Sequence, residues 1–238
     1  MNASVTSRFQ HEAAALVSPR ETTVAIPVWK RALDLLCVCL ALPALLPIML
    51  LIAVLIKVVS PGPIFFKQER VGFRRQRFLC YKFRTMKAGA DTQVHQNHFK
   101  NLIQSGVPMT KMDAKGDSRL IPFASVIRAM GLDELPQIIN VVLGDMSLVG
   151  PRPCTRYEFE SYPEVYHARF DTLPGLTGLW QVSGKNKTTF AEMMSLDIHY
   201  SRNKTAWMDV SIMFRTFAVL VEQLRESRQA SRPSPRWN

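Results

Sequence analysis

GLDELPQIINVVLGDMSLVGPRP, residues 131–153, is the stretch on which the reading of this chain turns. Two adjacent carboxylates, Asp133 and Glu134, stand ahead of a short apolar segment, Leu135–Leu143, that stops at Gly144. Asp is a good helix N-cap, and Pro136 is tolerated in a first turn, where no backbone donor is needed. Gly144 suits a C-terminal stop. The pattern predicts a helix of about three turns with Asp133 at its positive end. That end attracts phosphate and holds a carboxylate ionised. An ionised Asp beside a bound phosphate is a candidate nucleophile toward phosphorus. In general, an Asp–Glu pair is more often a cap beside a solvated acid. Here Arg128 precedes the pair, and Arg152 follows it in a turn stiffened by Pro151 and Pro153. A nucleophile, a metal ligand in Glu134 and two guanidinium groups could converge on one phosphate.

The 238 residues are 47% hydrophobic, which fits one globular domain plus a membrane segment. The formal charge of +11 suits an anionic membrane surface, phosphorylated substrates or nucleic acid. Cys37, Cys39, Cys80 and Cys154 have neither metal-site spacing nor a disulfide framework and read as buried reduced thiols. Residues 1–28 are mixed polar and alanine-rich and read as a disordered tail, with no secretory signal.

Residues 29–60 carry the membrane signal. Leu35–Ile56 is an uncharged, mostly apolar run of about 22 residues, where about 20 would span a bilayer. Pro43 and Pro47 interrupt it near the middle. Cationic residues flank both ends: Lys30 and Arg31 before, and Lys57, Lys67, Arg70, Arg74, Arg75 and Arg77 after. Both flanks favour the cytoplasmic face. The reading is a re-entrant helical hairpin broken at the prolines, against the alternative of a kinked spanning helix. Asp34 either pairs with Arg31 or caps the helix.

The remaining residues, 61–224, read as a catalytic domain. IFFKQERVG and RFLCYKFRTM predict two strands around Gly72, with Arg74, Arg75 and Arg77 in a turn suited to anionic headgroups. Alternation puts Lys82 and Arg84 on one face, with Tyr81 and Phe83 on the other. QVHQNHFKNLIQ predicts an amphipathic helix whose His95 and His98 are surface residues, and FASVIRAM a short helix delivering Arg128. RYEFESYPEVYHARF reads as one polar, aromatic-bearing helix. LPGLTGLWQVSGKN is glycine-rich and fit for close approach to a ligand. Within it Gln181 and Lys185 are candidate donors to nucleotide or phosphate, and Trp180 is a core or interface residue. From Trp207 to Leu224, Val210, Met213, Phe214, Phe217 and Val221 recur at helical spacing, as in a core-packing or membrane-surface helix. Residues 225–238 read as a disordered basic tail.

Four ordered blocks resemble one family, the bacterial monotopic polyprenyl-phosphate phosphoglycosyl transferases, also called bacterial sugar transferases. They are KRALDLL, YKFRTM, GLDELPQIINVVLGDMSLVGPRP and LPGLTGLWQVSGKN, within Lys30–Val221. Where the family usually has Ser before the proline of its broken helix, this chain has Leu46, and Pro43 is an addition. The resemblance implies an α+β fold: a Pro-broken re-entrant membrane helix, a small β-hairpin, and a compact helical cytoplasmic domain with interfacial amphipathic helices. It implies transfer of a sugar-1-phosphate from a nucleotide diphosphate sugar, a UDP-hexose by preference, to polyprenyl phosphate. Asp133 would form a phosphosugar-aspartyl intermediate, Glu134 would bind Mg²⁺, Lys82 would contact phosphate or carboxylate, and Arg128 and Arg152 would hold phosphate oxygens. It places the protein at the bacterial inner membrane, catalytic domain on the cytoplasmic face, as a primer of exopolysaccharide, capsule or glycan synthesis. Asp197 and Tyr200 take structural roles. No nucleic-acid partner is expected, and a homo-oligomer stays open. The rival reading is a non-enzymatic membrane adaptor that binds anionic lipid through its basic face.

Overall fold

The structure is a computed structural model and describes residues 25–87, 108, 119–184 and 187–230, the side chains of 222–230 excepted. Long helix α1 (Val28–Val59) leads into a hairpin of β1 (Phe65–Val71) and β2 (Arg77–Phe83). Helices α2 (Ala124–Ala129) and α3 (Gln137–Leu143) precede strand β3 (Ser147–Val149) and helix α4 (Arg156–Glu160). Strand β4 (Gly175–Thr177), α5 (Leu179–Val182), α6 (Phe190–Asn203) and α7 (Ala206–Ala230) complete the described residues. The expected α+β class and the small antiparallel hairpin are both present. Residues 1–24, His95, His98 and Lys185 lie outside the described residues.

The apolar segment is one helix that runs through Pro43 and Pro47, not two separate half-helices. Its middle is exposed, as at Leu40, Leu50 and Leu51. Both ends pack on the same folded domain. Near the N-terminus Val38 joins Cys80, Val141 and Met146; near the C-terminus Ile52 and Ile56 join Phe83, Ala124 and Ile127.

The two cationic residues ahead of the run are not headgroup charges. Lys30 is fully buried and donates to Val149 O (2.8 Å), Tyr200 Oη (2.8 Å) and Asp209 Oδ2 (2.7 Å). Burial, and Asp209 beside it, push the Tyr200 hydroxyl well above its ordinary value, so it keeps its proton. Arg31 donates to Val141 O and Val142 O at the C-terminus of α3. Asp34 neither pairs with Arg31 nor caps α1; its Oδ1 accepts from Ser147 Oγ (2.9 Å) and Leu148 N (3.0 Å).

Strand β3 pairs in parallel with β4, Ser147 opposite Gly175 and Val149 opposite Thr177. The backbones then touch: a Cβ on Gly150 would lie 2.2 Å from Leu173 O, and one on Gly175 would lie 2.1 Å from Gly150 N. Only glycine permits that approach. RYEFESYPEVYHARF is not one helix, because it divides at Pro163 into α4 and a 3₁₀ turn, Glu164–Phe170. Thr155 starts α4 with a capping box to Glu158. Helix α7 continues past Arg225, where the sequence suggested a tail. It turns Asp209 and Ile212 inward and leaves Trp207, Phe214, Phe217 and Val221 exposed.

Removing one member of a buried ion pair strands the other. Lys30→Met should therefore cost ~3–5 kcal/mol of stability. Lys30→Met with Asp209→Asn should recover part of that loss. Thermal melting in detergent measures both, and an unchanged Lys30→Met melt would contradict the burial argument.

Candidate active site

The site begins at the free edge of β2. Asn140 of α3 is completely buried and acts there as a substitute strand. Its Oδ1 accepts from Tyr81 N (3.0 Å), and its Nδ2 donates to Leu79 O (2.7 Å) and Asp145 Oδ2 (3.2 Å). This brace locks α3, and the acidic turn ahead of it, against the strand that carries Lys82. Lys82 Nζ then meets Glu134 Oε1 at 2.6 Å.

Arg152 approaches the same Glu134 oxygen at 3.8 Å. Its turn is held by backbone and by two guanidinium groups. Gly150 N donates to Thr177 O (2.8 Å), and Gly175 N donates to Pro151 O (2.9 Å). Arg169 donates to Arg152 O (2.9 Å), and Arg70 donates to Pro153 O (3.1 Å). Arg169 is itself buried, paired with Asp197 at 2.7 Å and bonded to Tyr162 Oη at 3.2 Å. Asp197 and Tyr200 thus have the structural roles expected of them. Sequence reasoning missed Asn140, Arg70 and Arg169. A polar residue inside an apolar run was the available signal for Asn140.

Lys82, Glu134, Arg152 and Gln181 line one cleft, together with Arg70, Cys80 and Gln137. Asp133 adjoins it without lining it, and Arg128 lies near enough to act on the Asp133 charge. Burial pushes the Cys80 thiol up, so it presents a neutral group. Within the cleft, Gln181 Nε2 donates to Leu176 O (3.3 Å), and its enclosed Oε1 has no partner. Arg84 does not share the cleft with Lys82. It donates to Ser60 O (2.8 Å) and Pro61 O (2.6 Å) and closes the end of α1.

The expected setting of Asp133 is also corrected. It does not cap a three-turn helix. It sits in a 3₁₀ turn, Leu132–Glu134, entered through Gly131 at φ 68°, and Pro136 precedes α3 with no side-chain cap. Gly144, at φ 93°, does end α3 as expected. Without the helix end to favour its charge, Asp133 is pushed above its ordinary pKa, first by burial and then by Glu134. Lys82 and Arg128 pull it back down in part.

The family model described as bacterial sugar transferase matches residues 26–223, from α1 into α7. The chain belongs to the bacterial sugar transferase family. It is 40% identical over 206 residues to the exopolysaccharide production protein ExoY of Sinorhizobium fredii, covering 85% of this chain and 91% of that one. It is 37% identical over 207 residues to a UDP-glucose:undecaprenyl-phosphate glucose-1-phosphate transferase of Caulobacter vibrioides, covering 83% and 72%. It is 36% identical over 195 residues to an undecaprenyl-phosphate galactose phosphotransferase of Salmonella typhimurium, covering 82% of this chain and 40% of that one. This bacterial sugar transferase is thus an enzyme and not a non-enzymatic adaptor.

A carboxyl whose pKa is raised on folding favours the folded state only while protonated. That contribution is complete below the unfolded value of 3.8 and is lost as pH rises through the folded value. At neutral pH, Asp133→Asn should therefore melt at the same temperature as the wild type or higher. Thermal melting in detergent measures this, and a destabilised Asp133→Asn would contradict this account.

Proposed function

We propose that the protein transfers a sugar-1-phosphate from a UDP-hexose to undecaprenyl phosphate through an intermediate on Asp133. One observation carries this reading: Lys82 and Arg152 converge on Glu134 in a cleft directly beside Asp133. The cations are already placed around one anion, and a phosphate can take the place of that anion.

In the first step a carboxylate oxygen of Asp133 attacks the sugar-linked phosphorus. A new P–O bond forms, and the bond from that phosphorus to the diphosphate bridging oxygen breaks. The bridging oxygen leaves with the electron pair as part of UMP. In the second step an oxygen of undecaprenyl phosphate attacks the same phosphorus and releases the Asp133 carboxylate. Lys82, Arg128 and Arg152 hold phosphate oxygens through both steps. Gln181, with its amide turned to Leu176, borders the donor site.

Among the described residues no three His, Cys, Asp or Glu side chains gather as a closed metal site. Asp133 and Glu134 are two adjacent carboxylates. That fits Mg²⁺, which is held by one or two carboxylates plus substrate phosphates and water. Glu134 would hold it, and when bound it neutralises charge on the diphosphate.

The membrane setting follows from α1, which is long and apolar enough to cross a bilayer. Both its ends pack on one domain, so we infer that it enters and leaves by the cytoplasmic face of the inner membrane, bent at Pro43 and Pro47. Exposed Phe123 just ahead of α2, Val126 of α2, Leu143 of α3 and Phe214 and Phe217 of α7 supply apolar surface for the same interface. Exposed Arg74 and Arg75 at the hairpin tip suit anionic headgroups. Priming of exopolysaccharide, capsule or glycan assembly is the corresponding role.

With donor alone, intact-mass analysis should find a sugar-phosphate adduct on Asp133. Asp133→Asn should lack both adduct and UMP release, and a chelator should stop turnover until Mg²⁺ is restored. An adduct on another residue would refute the nucleophile assignment. For topology, cysteines at Ala25 and Ser60, in a background without the native cysteines, should label with an impermeant reagent only once the cytoplasmic face is open. Labelling of position 25 from the periplasm would establish a spanning helix instead.

A further inference from the structure

Gln137 is the first residue of α3 and only 3% exposed, and it lines the cleft. Its side-chain amide has no hydrogen-bond partner among the described residues. Asn140, one turn on and equally buried, uses both ends of its amide to brace β2. The Gln137 amide is not among the enclosed unpaired groups either, so it opens on the cleft. An amide that no protein group satisfies adds no hydrogen bond to the fold, and Leu or Met would fill the same volume. An unpaired amide at the mouth of a cleft is therefore explained by what the cleft binds.

Its neighbours narrow the ligand group. Lys82 and Arg152 already meet the negative charge of the site, with Arg70 beside them. Phosphate oxygens only accept hydrogen bonds, and these cations supply the donors. A carboxamide offers a donor and an acceptor together without adding charge, and a sugar hydroxyl needs that pair. We propose that Gln137 is a substrate-contacting residue that hydrogen-bonds a hydroxyl of the donor's sugar. This rests on the donor reading given above.

The test uses the purified full chain in detergent, as wild type, Gln137→Leu and Gln137→Met, with UDP-glucose, UDP-galactose and UDP as probes. Without ligand, both variants should melt at the wild-type temperature or higher, which a structural glutamine would not allow. The KM for the preferred sugar nucleotide should rise about 2- to 10-fold, the size of one neutral hydrogen bond lost. The melting shift from the sugar nucleotide should shrink, while the shift from UDP should stay at its wild-type size. A lower melting temperature of both ligand-free variants, an unchanged KM, or an equal loss of the UDP shift would each overturn the inference and leave the donor reading standing. A wild type that neither shifts with nor turns over any of these probes would overturn the donor reading, and the inference with it.

Discussion

Lys30 carries a charge that the fold has removed from water, and four elements are arranged to satisfy it. Its ammonium spends its three donors on Val149 O, Tyr200 and Asp209. These acceptors come from β3, α6 and α7, while Lys30 itself belongs to the apolar helix. A buried ammonium holds only with such complete pairing, because partial pairing leaves an uncompensated ion. The membrane helix is therefore joined at its N-terminal end to the strand that leads into the Arg152 turn.

From that point the order is transmitted through backbone. Strand β3 pairs with β4, Gly150 lies against Gly175, and Arg70 and Arg169 take the carbonyls of Pro153 and Arg152. On the other wall, Asn140 fastens α3 to β2. The Arg152 side chain and the Lys82 side chain are thus presented by two independently braced walls, and Glu134 stands between them. A cleft built this way needs little reorganisation when an anion enters, which is the arrangement that electrostatic stabilisation of a phosphoryl transfer requires.

The apolar surface has a consistent placement. The middle of α1 and faces of α2, α3 and α7 are exposed, while the ends of α1 are bound to the domain. A protein wholly in water would be expected to cover so much apolar area. At a bilayer surface, the same faces would hold the proposed Asp133 nucleophile at the height where a lipid phosphate lies.

The sequence by itself determined the local units: the apolar run, the hairpin around Gly72, the stop at Gly144 and the clustering of Asp133, Glu134, Arg128 and Arg152 in one stretch. Each depends on near neighbours, through hydrophobic period, turn chemistry or a glycine's left-handed backbone. Only the tertiary structure decided which groups meet across the chain. The Lys82–Glu134 pair, the Asn140 brace, the Arg169 hold on Arg152 and the burial of Lys30 all join residues separated by more than a dozen positions. The setting of Asp133 was misread for the same reason. Its turn type and its burial are set by packing against β2 and α2, and desolvation there outweighs the favourable helix end that the local pattern suggested.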